Sequence, residues 1–364
     1  MASINFPSSP TNGQEFTSGD FTWIFSSTGA GGPGAWKLKA SPAQSPYWFI
    51  ESSTTKNIGI GETALQDRTT TTRGIGLGYG SMYNITTGAR NIGIGTYVLG
   101  KLTTGERNTA VGDAAGWFPN GSRNVAVGNG SYYNSTAGDE NVVMGYAAMS
   151  RWAPAYYDYY GSGATGGENV AVGAKSLWFS STGGGNVGLG HSAGYNISTG
   201  TNSIFIGKNA GNSGTNNFAT GSNSIIIGYN ASSSSSSVSN EITLGNSSIA
   251  TLRCQVQTIS SLSDERDKQD IYPLRFGLDF IDTLEPVEFT WMMRDGGKFG
   301  IKDIGFIAQD LVEAEDSVDA HDYLQLTYRN NPEKLEASYG RLVPLLVRAV
   351  QELSAKVKEL ELKL

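Results

Sequence analysis

The 364-residue chain is short of the residues around which most enzymes are built. It has one cysteine, Cys254, so no disulfide can form within the chain. His191 and His321 are its two histidines, too few beside one cysteine for a zinc site, and neither metal nor cofactor is expected. Charged residues make up only 16% and hydrophobic residues 38%, which fits neither a large enzyme core nor a charge-rich disordered chain. Lys and Arg number 26 against 33 Asp and Glu, a net charge of −7, so nucleic acid is not an expected partner. No run of about 18 apolar residues occurs, and membrane insertion is not expected. The opening MASINFPSSP has neither the basic nor the apolar segment of a secretory leader, so synthesis in a cytoplasm is expected.

Glycine, by contrast, is abundant: 48 residues, roughly twice the usual share. Residues 1–260 hold 42 of them, with 12 acidic and 13 basic residues. Residues 261–364 hold 6, with 21 acidic and 13 basic residues. A low-charge Gly/Ser/Asn-rich region therefore precedes an ordinary α+β region.

The first region repeats. Asn57-Ile-Gly-Ile-Gly61 recurs beginning at Gly74, Asn91, Asn108, Asn124, Asn141, Asn169, Asn186, Asn202 and Asn223. The spacings are 17, 17, 17, 16, 17, 28, 17, 16 and 21, and a fixed period of this length means a solenoid. Each unit reads as one coil. A short β-branched strand carries a small central residue (Gly59, Gly93, Ala110, Ala126) where another backbone is expected to come close. Glycine at the strand end supplies a corner. The Asn reads as a stacked ladder or an Asx turn, with ligand contact the sharper alternative. A row of bulky residues follows in register: Met82-Tyr83, Trp117-Phe118, Tyr132-Tyr133, Met149, Trp178-Phe179 and Tyr195. This row reads as core or subunit interface, with sugar binding as the alternative. A coil this slim cannot bury both its rows alone, so stacking and lateral association are expected.

These repeats resemble the left-handed β-roll heads of trimeric autotransporter adhesins, and also repeat shafts of phage tail fibres. The likeness spans about residues 57–245 and implies a trimer of coils around an axis. The 28-residue interval holds an insert, Arg151 to Tyr160, with Trp152, Tyr156, Tyr157, Tyr159 and Tyr160. Aromatics clustered on a loop suit receptor recognition, and a loop clasping a neighbouring subunit is the alternative. Residues 1–50, with Phe16, Trp23, Trp36 and Trp48, suggest a small β module similar to the N-terminal modules of phage fibre proteins. That likeness implies attachment to other tail or baseplate proteins. A sugar-binding module is the alternative.

At the C-terminus stand Ser261-Leu-Ser-Asp-Glu-Arg-Asp-Lys268, Leu284 to Trp291, Ile304 to Asp310 and Tyr339 to Leu353. In this order they closely resemble the self-cleaving intramolecular chaperone of endosialidase tailspikes and phage fibres, a domain also found in myelin regulatory factor. The resemblance implies that Ser263 is the nucleophile and Lys268, five residues on, its base, with cleavage beside Asp264. The bland alternative is that Ser263 merely caps a helix. Val343, Leu346, Val350, Leu353, Val357, Leu360 and Leu364 step by three and four, an a/d seam. Reading Leu at a and Val at d leans away from a dimer, with Glu352, Lys358 and Glu359 at the flanking positions.

The expected fold is mainly β: an N-terminal β module (1–50), a trimeric β-solenoid shaft (51–245), a neck (246–260) and an α+β chaperone ending in a coiled-coil helix (261–364). The expected function is a homotrimeric phage tail fibre, carried on the virion, that adheres to a bacterial surface polysaccharide or protein receptor. Its chaperone either cuts itself off beside Ser263 or stays, so any enzyme activity is a single self-cleavage. A bacterial trimeric surface adhesin is the alternative. A polysaccharide-depolymerising tailspike is a third, disfavoured because glycosidases need two placed carboxylates and residues 51–250 hold few.

Overall fold

A computed structural model describes residues 8–18, 21–26, 35–39, 48–50, 56–117, 120–133, 138–150, 165–214, 216–255, 259–294 and 297–363. The chain divides into two compact units, residues 1–199 and 200–364. The first opens with an antiparallel meander of β1 (Glu15–Ser18), β2 (Phe21–Ser26) and β3 (Ala35–Lys39). Phe16 lies opposite Trp23 across the first pair. The next strand, β4 (Trp48–Ile50), leaves the meander and pairs antiparallel with the first coil strand.

The coil strands of this unit are β5 (Ile58–Ile60), β6 (Ile75–Leu77), β7 (Ile92–Ile94), β8 (Thr109–Val111), β9 (Val125–Val127), β10 (Val142–Met144), β11 (Val170–Val172) and β12 (Val187–Leu189). They pair parallel and in strict register, Ile58 beside Ile75 beside Ile92 and so on. The central residue of each is buried and its two neighbours are not. A side chain on Gly76 would meet Leu65 and Met82, and one on Gly93 would meet Ser81, Val98 and Met82. The small strand residue thus admits side chains from across the coil, and at Gly76 the Ser81 carbonyl oxygen as well, 3.4 Å from where a Cβ would lie. Closer backbone approach occurs at the strand-end glycines. Gly78, Gly95, Gly112, Gly128, Gly145 and Gly173 have φ of +123° to +136°. A Cβ on Gly112 would lie 2.7 Å from the Gly128 carbonyl oxygen, and the relation repeats coil after coil.

The rest of each coil turns through left-handed residues that are often not glycine. In the third coil these are Arg90 (φ 59°), Tyr97 (51°) and Leu99 (50°). Each costs on the order of 1 kcal/mol. The cost is offset because the turn's amides bond to the next or previous coil: Leu65 N to Ser81 O, Met82 N to Val98 O and Leu99 N to Ala115 O, each at 2.9 Å. Backbone groups are satisfied on the turn side as well as on the strand side.

The second unit begins with three more coil strands, β13 (Ile204–Ile206), β14 (Ile225–Ile227) and β15 (Ile242–Leu244), again parallel and in register. The residues just before β13 and β14 are Ser203 and Ser224, both buried. Asn202 and Asn223 stand one place earlier with φ near +54°. The ladder position is therefore Ser203 and Ser224, not Asn202 and Asn223, and the interval after Asn186 becomes 17 instead of 16.

After the coils come α1 (Leu278–Ile281), the antiparallel pair β16 (Val287–Met292) and β17 (Phe299–Gly305), α2 (Ala308–Ser317) and α3 (His321–Leu324). The short pair β18 (Thr327–Tyr328) and β19 (Glu336–Ala337) precedes α4 (Leu342–Glu361). Phe280, Ala314, Ala320, Leu324, Leu326, Leu342 and Leu345 form one core. Mainly β, with a C-terminal helix, is the observed class. Among the described residues, no helix is long and apolar enough to cross a membrane.

Candidate functional site

The repeated Asn is structural. Asn124 is buried, and its Nδ2 donates to Asn108 Oδ1 at 3.1 Å and to Gly138 O at 2.9 Å. Its Oδ1 accepts from Asn141 N at 2.9 Å and from Asn141 Nδ2 at 3.2 Å. Every hydrogen-bonding site of the amide is used, with no room for a ligand. Asn108, Asn141 and Asn169 continue the ladder in the same way.

The bulky row proves to be two rows. Met82, Tyr132 and Met149 lie eight residues after the ladder position and are buried inside the coil. Tyr83, Trp117, Tyr133 and Tyr195, one residue later, are partly exposed. Trp178, at the same position, is nearly covered. The outward aliphatic rows are those of the strands. Ile60, Ile94, Val111, Met144 and Leu189 are exposed, with Ile94 at 40%. Phe118 and the insert residues Trp152, Tyr156, Tyr157, Tyr159 and Tyr160 lie outside the described residues, as do the side chains of Trp36 and Trp48.

Near the start of the C-terminal region, Ser263 and Lys268 flank a single 3-10 turn, Glu265–Asp267. Asp264, not Ser263, caps that turn. Its carboxylate accepts from the Arg266 guanidinium at 2.6 and 3.0 Å and from the Arg266 amide at 2.9 Å. Those bonds hold the Asp264 carboxyl below the usual range and occupy it. The Ser263 hydroxyl is left to Lys268, whose Nζ donates to Ser263 Oγ at 2.6 Å and to Ser263 O at 3.1 Å. The two side chains that the chaperone resemblance pairs are therefore in contact. Both are exposed, and the preceding Leu262 is 100% exposed. A lysine serves as a base when it is neutral, and burial is what drives it there. A single chain supplies the contact without the burial.

The C-terminal region also holds a polar hub with no signal in the sequence. Glu315, buried in α2, accepts from Leu326 N at 2.5 Å, Thr327 Oγ1 at 2.6 Å and Arg329 Nη2 at 3.0 Å, and His321 Nδ1 lies at 3.1 Å. Burial alone pushes its carboxyl up, but the bonds from Thr327, Leu326, Arg329 and His321 outweigh that and hold it low. Its partners come from α3, from β18 and from the residues on either side of β18, so one carboxylate ties α2, α3 and β18 together.

Helix α4 has two apolar faces. Leu342, Leu345 and Ala349 are buried in the domain. Val343, Leu346, Val350, Leu353, Val357 and Leu360 are exposed, Val350 at 64%; Leu364 lies outside the described residues. The step from Val343 to Leu346 is three and from Leu346 to Val350 four, so valine holds a and leucine d, the reverse of the expected assignment. Val at a with Leu at d leans towards two strands, so the seam does not by itself select three. Glu352 is not a flanking residue of the seam. It donates nothing to a neighbour but accepts from Leu278 N at 2.8 Å at the start of α1 and pairs with Arg348 at 2.8 Å.

Among the described residues, no three His, Cys, Asp or Glu side chains stand together as a metal site. Residues 263–321 match a family model described as chaperone of endosialidase. No curated protein and no solved structure matches the chain. A parallel β-solenoid followed by this chaperone-like segment is consistent with a phage tail fibre carrying an intramolecular chaperone. The chaperone likeness points to a phage-associated protein.

Proposed function

We propose that the chain is the subunit of a homotrimeric tail fibre, mounted on the virion through its N-terminal module and adhering to a bacterial surface polysaccharide or protein. The observation that carries this is the pair of unused apolar surfaces on one chain: the strand rows typified by Ile60 and Ile94, and the outward seam of α4. Aliphatic surfaces of that extent call for a partner. Their regular repeat along the chain fits another copy in register. The number three comes from the likeness to trimeric fibres and adhesin heads. Packing through the strand face places the valine, isoleucine and leucine rows at the axis.

The C-terminal domain acts as the assembly device. A long parallel shaft has high contact order and can slip in register, because neighbouring coils look alike. Chains joined first at α4 start the shaft at one fixed register and at a high effective concentration. Cleavage follows assembly. Ser263 Oγ attacks the Leu262 carbonyl carbon through a five-membered ring, while Lys268 takes the hydroxyl proton and passes it to the departing Ser263 nitrogen. Water then hydrolyses the ester, leaving a Leu262 carboxylate and a free Ser263 amine. Neighbouring copies pack around the Ser263–Lys268 pair and complete the site, so the cut reports that the trimer has formed. Denaturing gels test this: wild-type protein should yield residues 263–364 as a fragment, and Ser263→Ala and Lys268→Arg should stay at 38.6 kDa. Full-length wild-type protein after prolonged incubation would reduce Ser263 and Lys268 to a structural contact.

A further inference from the structure

One edge of the shaft is aromatic. Tyr83 and Trp117 have ring centroids 6.1 Å apart, and Trp117 and Tyr133 are 6.1 Å apart and within 14° of parallel. Tyr97 meets Trp117 edge-on at 5.9 Å and Tyr79 at 5.0 Å. The row is built by absence elsewhere. A Cβ on Gly100 would lie 2.2 Å from the Trp117 ring, and one on Gly80 would lie 2.6 Å from the Tyr97 ring. Two glycines are thus the seats on which these rings lie. The residues just before Tyr83 and Tyr133, Met82 and Tyr132, point into the coil interior, where Met82 approaches the inner side of strand residue Gly76. Tyr83 and Tyr133 therefore face away from the coil interior, and the row lies outside the strand residues, so copies packed through the strand rows leave it outside that contact.

We infer that this aromatic row binds a glycan chain, an assignment that rests on the adhesion reading and names its ligand class. A sugar ring offers a C–H face to stack on and a rim of hydroxyls to bond. Tyrosine and tryptophan offer a flat ring with an O–H or N–H at its edge, and they lose little rotamer freedom on binding. A second copy of the chain would bring aliphatic rows, which match the strand face instead. Rings fixed against one another and seated on glycine are already ordered, so little conformational entropy is lost when a ligand lies along them. The row extends along the shaft, as a polymer needs, and the Lys101 ammonium, 5.7 Å over the Trp117 ring, adds a contact for hydroxyl or carboxylate oxygens.

The test uses full-length protein and an array of purified neutral and acidic bacterial capsule and lipopolysaccharide glycans, with tryptophan fluorescence as a second readout. Binding to at least one array glycan with a change in emission is expected. Trp117→Ala and Tyr79→Ala should each weaken it about tenfold or more, and Trp117→Phe should retain most of it. Unchanged oligomer mass and circular dichroism identify variants that fold normally, and Tyr79, at the exposed end of the row, serves if Trp117→Ala does not. No binding to any array glycan, or equal binding by folded Tyr79→Ala and wild type, overturns the inference. Adsorption of intact protein to bacterial cells separates the two claims. Adsorption without glycan binding, or adsorption abolished by protease treatment of the cells, keeps adhesion and removes the glycan. Absence of both removes adhesion as well.

Discussion

Replacing Asn124 by alanine probes the ladder that holds the coils in register. The side chain makes four hydrogen bonds inside a coil, to Asn108, Gly138 and twice to Asn141. Alanine removes all four. Asn108 Oδ1 still accepts from the backbone N–H of residue 124 at 3.0 Å, and Gly138 O still accepts from Tyr132 Oη at 3.0 Å. What is orphaned is the Asn141 backbone N–H, since the Asn141 amide keeps Tyr132 Oη at 2.8 Å and Gly166 O at 3.2 Å. A buried unsatisfied polar group costs about 1–3 kcal/mol, so the total is about 2–5 kcal/mol including the small cavity. For a domain of this size about 1 kcal/mol moves the melting temperature about 2–4 °C, so calorimetry should show a fall of about 5–15 °C. Hydrogen exchange gives the local readout, with Asn141 N–H losing protection first. Ser224→Ala is the internal comparison. Its hydroxyl accepts a single ladder bond, from Glu241 N at 3.3 Å, so its loss should cost only about 1 kcal/mol. A melting temperature unchanged in Asn124→Ala, or falling equally in Ser224→Ala, would refute the view that the amide ladder stabilises the shaft.

Other outcomes follow from the same structure. Gly128→Ala places a Cβ 2.7 Å from Gly145 O at φ +125°, and should cost about 3 kcal/mol or more, seen as loss of soluble protein or a lower melting temperature. Glu315 is held below its ordinary value of 4.5, so it contributes stability above that pH, which is lost as pH falls through the lower folded value. Acid titration followed by near-ultraviolet circular dichroism should therefore show the C-terminal domain loosening below about pH 4.5, and Glu315→Gln should flatten the dependence. A chain ending at residue 260 should be insoluble or monomeric by light scattering, since it retains exposed strand rows without the helix that sets their register.

The coil was legible because two of its positions are filled by a narrow choice of residues. The ladder needs an amide with two donors and a two-fold acceptor, and the strand end needs φ beyond +120°, so Asn and Gly recur visibly at a 17-residue spacing. The alignment slipped at Asn202 and Asn223 because asparagine also suits the left-handed position just before the ladder, while Ser203 and Ser224 took the ladder itself. In the sequence the bulky row looks single because Met82 and Tyr83 are adjacent. Met82 is itself left-handed, with φ 51°, and is buried while Tyr83 is partly exposed. The Ser263–Lys268 contact was legible through its motif, and its exposure was not, because burial depends on what packs against the segment. Glu315 was invisible, since its partners lie 6 to 14 residues away on separate elements. The α4 seam was legible from its three-four steps, but which face stays outward is a property of the packed domain.

The most direct test of the account is the native mass of Ser263→Ala protein, kept uncut, by size-exclusion chromatography with light scattering. The α4 seam taken alone leans to a pair, whereas the shaft and chaperone likeness lead to three chains. A mass of three times 38.6 kDa, constant over a hundredfold dilution, is predicted. A mass of 38.6 kDa, or of twice that value, would contradict the trimeric fibre.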